Sequence, residues 1–288
     1  LTEEEVDTIV EYTTKIGLSL KVKGLMNIQF VISGGASYRS PGTDFGPVED
    51  TTVSVIEVNP RASRTIPFIS KVTGLHAAKI ATKVMTGISI KDQGYTGGLW
   101  PKSSVVGIKA PVFSMSKLVG VDTYLSPEMK STGEVMGIDR NFPLAFIKSQ
   151  VAAGNKLPLK GSVFISVKDD DKESILLLCQ VFEKLNFRIF ATQGTADFLL
   201  KFLIDVKIIK KVNEGSPHIV DLIEKNQIQL IINTTSGTKS IADSLSIRRT
   251  ALSKKIPYFT TISAAKIAVT GLNIINKKDI SVKSIQDL

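Results

Sequence analysis

A single cysteine among 288 residues rules out an internal disulfide and suits a reducing compartment. That residue, Cys179, ends the apolar run I-L-L-L-C and reads as a buried core thiol. Histidine is almost as scarce. His76 stands beside a helix start and His218 follows Pro217, and both read as surface residues with no chemical task. No uninterrupted apolar stretch approaches the length that crosses a bilayer, so no membrane association is expected. The first residues, Thr2-Glu3-Glu4-Glu5, look nothing like a signal peptide. There is no low-complexity block and no long basic tract. The net charge of +9 arises from 36 lysines and arginines scattered among 27 acidic residues. That mixture argues against nucleic acid and is served equally well by small anionic ligands. A cytoplasmic protein is expected, with a mitochondrial location left open.

What is present suffices for well-formed cores: hydrophobic residues make up 43% of the chain, and its length favours two domains. Thr2 and Glu5 form a capping-box pattern ahead of Val6, Ile9, Val10, Ile16 and Leu20, which recur at helical spacing. A strand is expected over 26–32 and another over 53–59. Between them, residues 33–52 carry Gly34-Gly35, Pro41-Gly42 and Gly46-Pro47 and read as a long, mobile, exposed loop. A helix over 75–85 follows, then irregular chain over 91–121 and a helix over 141–152. The G-N-K-L-P segment at 154–158 reads as a linker, which divides the chain into residues 1–153 and 154–288.

The second part alternates strand and helix as a parallel α/β sheet does. Strands are expected over 163–167, 187–191, 207–212, 230–233 and 257–261. Helices are expected over 171–185, 196–203, 218–225 and 241–253, with a last one running through Gly271.

Two groups of residues carry chemistry. In the first, S-V-I-E-V-N-P-R-A-S-R-T-I-P-F (54–68) puts Glu57 and Asn59 on one strand face, with Arg61 and Arg64 beyond Pro60. Antiparallel pairing with N-I-Q-F brings Gln29 beside Glu57. A carboxylate with carboxamides suits a hard divalent cation shared with phosphates, and a guanidinium completes a phosphate clamp. The plain alternative is a solvated strand end with a surface salt bridge. In the second group, A-T-Q-G-T-A (191–196) and N-T-T-S-G (233–237) each end a strand and open a helix. Hydroxyls and helix N-termini there make a phosphate seat, with Lys172 and Lys211 nearby. The plain alternative is ordinary helix capping.

The segments G-L-M-N-I-Q-F, V-I-E-V-N-P-R-A-S-R-T-I-P-F, S-T-G-E-V-M-G (131–137) and I-I-N-T-T-S-G (231–237) resemble, in that order, the carbamoyl-phosphate synthase large subunit. The resemblance implies the C-terminal part of its second ATP-grasp domain, then a methylglyoxal-synthase-like (flavodoxin-like) parallel five-stranded α/β domain. It implies Mg2+ or Mn2+ as cofactor and ATP as substrate, in the step that phosphorylates carbamate. Gln29, Glu57 and Asn59 match metal-ligand positions, Gln29 and Glu57 also serving ATP through metal and phosphates. Arg64 matches a phosphate-contacting catalytic arginine. Arg61 has a bland reading as a structural partner of a neighbouring carboxylate. The family's glycine-rich loop and adenine-contacting lysines are missing, so this polypeptide alone is expected to be inactive.

By the same resemblance Lys172, Thr192, Thr195, Lys211, Asn233 and Thr235 match allosteric effector positions for a UMP-, UTP- or IMP-like nucleotide. Gln193 departs from the family's common histidine. N-T-T-S-G-T-K-S offers no catalytic aspartate of the lyase type, which favours binding over catalysis. Tyr258 and Thr260 match positions near an ornithine site, but V-V-G-I-K-A-P-V-F (105–113) lacks the acidic residue that ligand needs. The implied partners are a glutamine amidotransferase subunit or domain and the rest of the large subunit. The alternative is a free-standing regulatory module that binds phosphorylated metabolites without catalysis.

Overall fold

A computed structural model describes residues 1–34, 51–114, 128–277 and 280–287. The expected loop over 33–52 lies mostly outside the described residues. The chain divides into two compact units, Leu1–Ser103 and Ser104–Leu288.

The first unit opens with α1 (Glu3–Ser19), and the capping box forms as its sequence foretells. Thr2 N donates to Glu5 Oε2 at 2.8 Å, and Glu5 N donates back to Thr2 Oγ1 at 3.2 Å. Strands β1 (Asn27–Ser33) and β2 (Thr52–Asn59) form an antiparallel pair. Then α2 (Thr65–Thr73) runs to Gly74, whose φ of +72° lets the helix stop, and α3 (Ala77–Met85) follows. The sequence reading missed α2. Its Pro67 looks like a breaker, yet it falls in the first turn, where a missing N–H costs nothing. Burial here is sparse. Among the described hydrophobic residues of this unit Ala81 alone is buried, while Val31, Val55 and Ile56 of the two strands are 37–59% exposed.

The second unit begins with an antiparallel pair, β3 (Val106–Val112), where irregular chain was expected, and β4 (Gly133–Asp139). Helix α4 (Phe142–Ala152) packs on both strands, its N-cap Asn141 accepting the Leu144 N–H at 3.2 Å. The five expected strands follow: β5 (Ser162–Ser166), β6 (Arg188–Ala191), β7 (Val206–Ile208), β8 (Leu230–Asn233) and β9 (Tyr258–Phe259). All pair in parallel, in the order β7-β6-β5-β8-β9. Counted within the sheet this is 3-2-1-4-5, a doubly wound order distinct from the 2-1-3-4-5 of flavodoxin itself. The helices between are α5 (Lys172–Lys184), α6 (Gln193–Leu200), α7 (Ile219–Glu224), α8 (Gly237–Asp243), α9 (Leu245–Ser253) and α10 (Ile262–Ile275). Ser244 separates α8 from α9, where one helix was expected.

Strand alternation builds a core on each face of the sheet. Val163, Ile165, Leu230 and Ile232 face one, and Phe164 and Ile231 the other. Buried Cys179 belongs to the first, and burial pushes its thiol up to about 12. That same core takes in Ile147 of α4, which lies against α10. The expected boundary after residue 153 thus falls inside the second unit. The G-N-K-L-P linker joins elements that share one core, and the division of the packing comes fifty residues earlier.

Candidate functional sites

The β1–β2 hairpin carries the first group. Gln29 and Glu57 are direct cross-strand partners, and Asn59 lies two residues past Glu57. The register slips between Gln29 and Phe30, leaving Ile56 as the surplus residue of a bulge. Gln29 Nε2 and Asn59 Nδ2 both donate to Glu57 Oε1, each at 2.9 Å. A half-turn of either amide presents its oxygen in place of its NH2, so the three side chains supply three oxygen donors at one exposed point. One carboxylate is too few to cage a hard cation by itself, but it fits an ion that shares its coordination with substrate phosphates. Among the described residues there is no group of three or more His, Cys, Asp or Glu able to hold a metal. Past Pro60, Arg61 Nη1 donates to the Ala62 carbonyl at 3.1 Å, a backbone partner in place of the expected carboxylate. Arg64 stands at the N-cap of α2 with helical backbone angles.

The second group surrounds a cavity of about 930 Å3 at the carboxyl ends of the parallel strands. It opens where the strand order reverses between β5 and β8, the place at which such sheets bind ligands. Of the six expected effector residues, Thr192, Lys211, Asn233 and Thr235 line it. The Thr192 hydroxyl makes no capping bond to α6 and donates instead to Ser166 Oγ at 3.1 Å, which answers the simple capping alternative. Asn233 is 4% exposed and donates to Ser244 Oγ at 3.0 Å and Tyr258 Oη at 2.7 Å.

Two expected residues sit elsewhere. Thr195 is 2% exposed, and its Oγ1 accepts the Val167 N–H at 3.2 Å, so it ties the loop after β5 to α6. Lys172 is held beside Asp169, Nζ to Oδ1 2.7 Å, near the start of α6. Thr234 plays a similar tying part, accepting the Lys168 N–H at 3.1 Å while its own N–H donates to the Ser166 carbonyl at 3.0 Å.

The sequence reading missed Lys168, Arg249 and a run of serines from Ser236 to Ser246 that also line the cavity. Lysines were weighed only beside the two threonine motifs, whereas Lys168 follows β5 and Arg249 lies on α9. Among the described residues, three cations (Lys168, Lys211, Arg249) face two carboxylates (Asp169, Asp170), set among hydroxyls. Lys168 pairs with Asp170 at 3.5 Å. The Lys172 ammonium holds the Asp169 carboxyl below its ordinary range. His76 is exposed at the N-cap of α3, as expected. His218 is better shielded than expected, its side chain 19% exposed at the N-cap of α7.

A smaller cavity of about 440 Å3 adjoins the first and is lined by Tyr258 and Thr260. Among the described residues no carboxylate lines it. Among the described residues no helix is long and apolar enough to cross a membrane.

Two families match the chain: "Carbamoyl-phosphate synthase L chain, ATP binding domain" over residues 1–93 and "MGS-like domain" over residues 174–260. The carbamoyl phosphate synthase large chain of Archaeoglobus fulgidus is 45% identical over the whole of this chain, which spans 25% of that protein. The "C-terminal section" of the large chain of Methanopyrus kandleri is also 45% identical over the whole chain, which spans 51% of it. The large chain of Myxococcus xanthus is 43% identical, again with all of this chain aligned and 25% of its own length covered. The chain thus spans between a quarter and a half of these relatives. From end to end, at such identity, it is similar to the C-terminal section of carbamoyl phosphate synthase large chains, and it matches the end of an ATP-binding domain and an MGS-like domain.

Proposed function

We propose that this chain supplies the metal- and phosphate-binding half of the site at which a carbamoyl phosphate synthase phosphorylates carbamate with ATP, together with a nucleotide-sensing domain. The parent enzyme uses ATP, bicarbonate and ammonia released from glutamine by an amidotransferase partner, in the cytoplasm. The observation that carries the first half is the convergence of Gln29 and Asn59 on Glu57 Oε1. Glu57, with the amide oxygens of Gln29 and Asn59, would hold Mg2+ or Mn2+. Such an ion, when bound, would supply neutralisation of phosphate charge. Arg64, at the start of α2, binds and orients a phosphate oxygen through its planar fork.

The exposed strands of the first unit support the need for a larger assembly. Among the described residues, a two-stranded sheet with Val31, Val55 and Ile56 uncovered, beside one buried alanine, has little core of its own. The remainder of the large chain is the partner that this surface calls for, and the chain by itself would not turn over ATP.

In the second unit, the hydroxyl-rich cavity with Lys168, Lys211 and Arg249 suits a compact anion bearing a sugar or base, a nucleotide of the UMP, UTP or IMP kind.

The test of the catalytic half is Glu57→Ala in the full-length enzyme. Carbamate-dependent ATP turnover should disappear while bicarbonate-dependent turnover stays near its original rate. Loss of both activities, with unfolding, would mark Glu57 as a structural carboxylate and sink the proposal.

A further inference from the structure

A third cavity, of about 490 Å3, lies among the end of β4, the second half of α4 and the tail that follows α10. Among the described residues it shares no lining with the two cavities near the strand ends. Its volume is that of an ordinary small-molecule site. The tail is anchored at Ile280, which packs against the core that holds Ile147 of α4. Beyond that anchor the tail borders the cavity without filling it: Val282 is 92% exposed and Ile285 41%. Met136 and Ile138 of β4 and the half-exposed Val151 of α4 complete an apolar wall. Single exposed apolar side chains are ordinary, but several gathered around one hollow mark a surface that takes a ligand.

The charges of the lining are arranged unevenly. Asp139 has both oxygens engaged, Oδ2 accepting from Lys148 Nζ at 2.8 Å and Oδ1 accepting the Asn141 N–H at 3.0 Å. Its charge is thereby matched by Lys148. Arg140 and Lys283 bring two further positive charges to the same lining, and both are exposed. Each carries its charge at the end of an apolar stem, so the head stays in water while the stem extends the apolar wall. A guanidinium fork suits a carboxylate, and an ammonium adds a point charge beside it.

We propose that this cavity binds a small amphipathic anion, its apolar body laid against Met136, Ile138 and Val151 and its carboxylate held by Arg140 and Lys283. Bound there, the ligand ties the tail to β4 and α4.

The test uses the full chain with decanoate, decanol and decyltrimethylammonium as monomeric probes, read by calorimetry and thermal melting. Decanoate should raise the melting temperature and bind roughly tenfold more tightly than decyltrimethylammonium, because head charge is the difference between them. Val151→Trp places a large ring in the cavity from a half-exposed position and should weaken decanoate binding roughly tenfold. Val282→Glu guards against misfolding, since that position is almost fully exposed. Its added carboxylate should weaken decanoate roughly fivefold and leave decanol within about twofold. If both variants bind decanoate as the natural chain does, the probe sits on another apolar surface and the proposal fails. Equal affinity for the anionic and cationic probes overturns the charge class, and no binding of decanoate overturns the site.

Discussion

Gly137 of β4 and Ala145 of α4 meet backbone to backbone: a Cβ at position 137 would stand 2.1 Å from the Ala145 carbonyl oxygen and 2.4 Å from Ser149 N. On the opposite side of α4, a Cβ at Gly271 of α10 would stand 2.4 Å from Ile147 Cγ1. The helix is held between two close approaches that differ in kind. An isoleucine side chain can shift to relieve a clash, and a helix backbone cannot. Gly137→Ala should therefore cost more stability in urea denaturation than Gly271→Ala, which falls in the range of about 1–3 kcal/mol for overpacking. Equal costs would show that α4 moves freely against the strands.

The same packing predicts where the chain can be cut. A fragment of residues 104–288 should unfold in one cooperative thermal transition. A fragment of residues 156–288 should lose several degrees of melting temperature or its cooperativity, because Ile147 and Phe146 leave the sheet's core. Equal melting temperatures would favour the boundary suggested by the G-N-K-L-P segment.

Acid should act on Asp139 of β4. Burial pushes its carboxyl up, but the Lys148 ammonium, donating at 2.8 Å, and the Asn141 N–H, donating at 3.0 Å, hold it below the usual range. The folded value lies below the unfolded one, so this stabilisation is present above about pH 4. It is lost as the pH falls through the folded value. Lys148→Met should cost about 1–3 kcal/mol at neutral pH, both partners being largely shielded, and should move the acid-unfolding midpoint to higher pH. An unmoved midpoint would show that the pair contributes nothing.

Thr195 and Lys211 should separate by the kind of loss they cause. Thr195→Ala removes the acceptor of the buried Val167 N–H and should lower stability by about 1–3 kcal/mol before it affects any ligand. Lys211→Ala should leave melting unchanged, weaken UMP binding and flatten its dependence on salt. Calorimetry and thermal melts on both variants decide it. A Thr195→Ala protein with native stability but weakened binding would place that hydroxyl on the ligand.

The parallel sheet was legible because its strands are short apolar runs punctuated by turn residues, and Gln29 opposite Glu57 followed from simple alternation. Strands β3 and β4 were hidden by Gly107, Pro111, Gly133 and Gly137, residues that depress strand propensity. Pro111 is tolerated because β3 has a partner on one side only, and Gly137 is demanded by α4, a contact distant in neither sequence nor consequence but invisible to local pattern. In the cavity, motif reading found the residues at the ends of β6 and β8. It could not tell Thr192, whose hydroxyl reaches Ser166 at the cavity wall, from Thr195 three positions on, whose hydroxyl is spent inside the fold.

That Ala81 is the one buried apolar residue among the described residues of 1–103 has a calorimetric consequence. Heat-capacity change on unfolding follows the apolar surface newly wetted, about 12–15 cal/mol/K per residue in ordinary domains. Were all 288 residues packed to that standard, melting would raise the heat capacity by roughly 4 kcal/mol/K. With the apolar burial concentrated in residues 104–288, the chain should give nearer about 2.6 kcal/mol/K, and its stability curve should be correspondingly flatter with temperature.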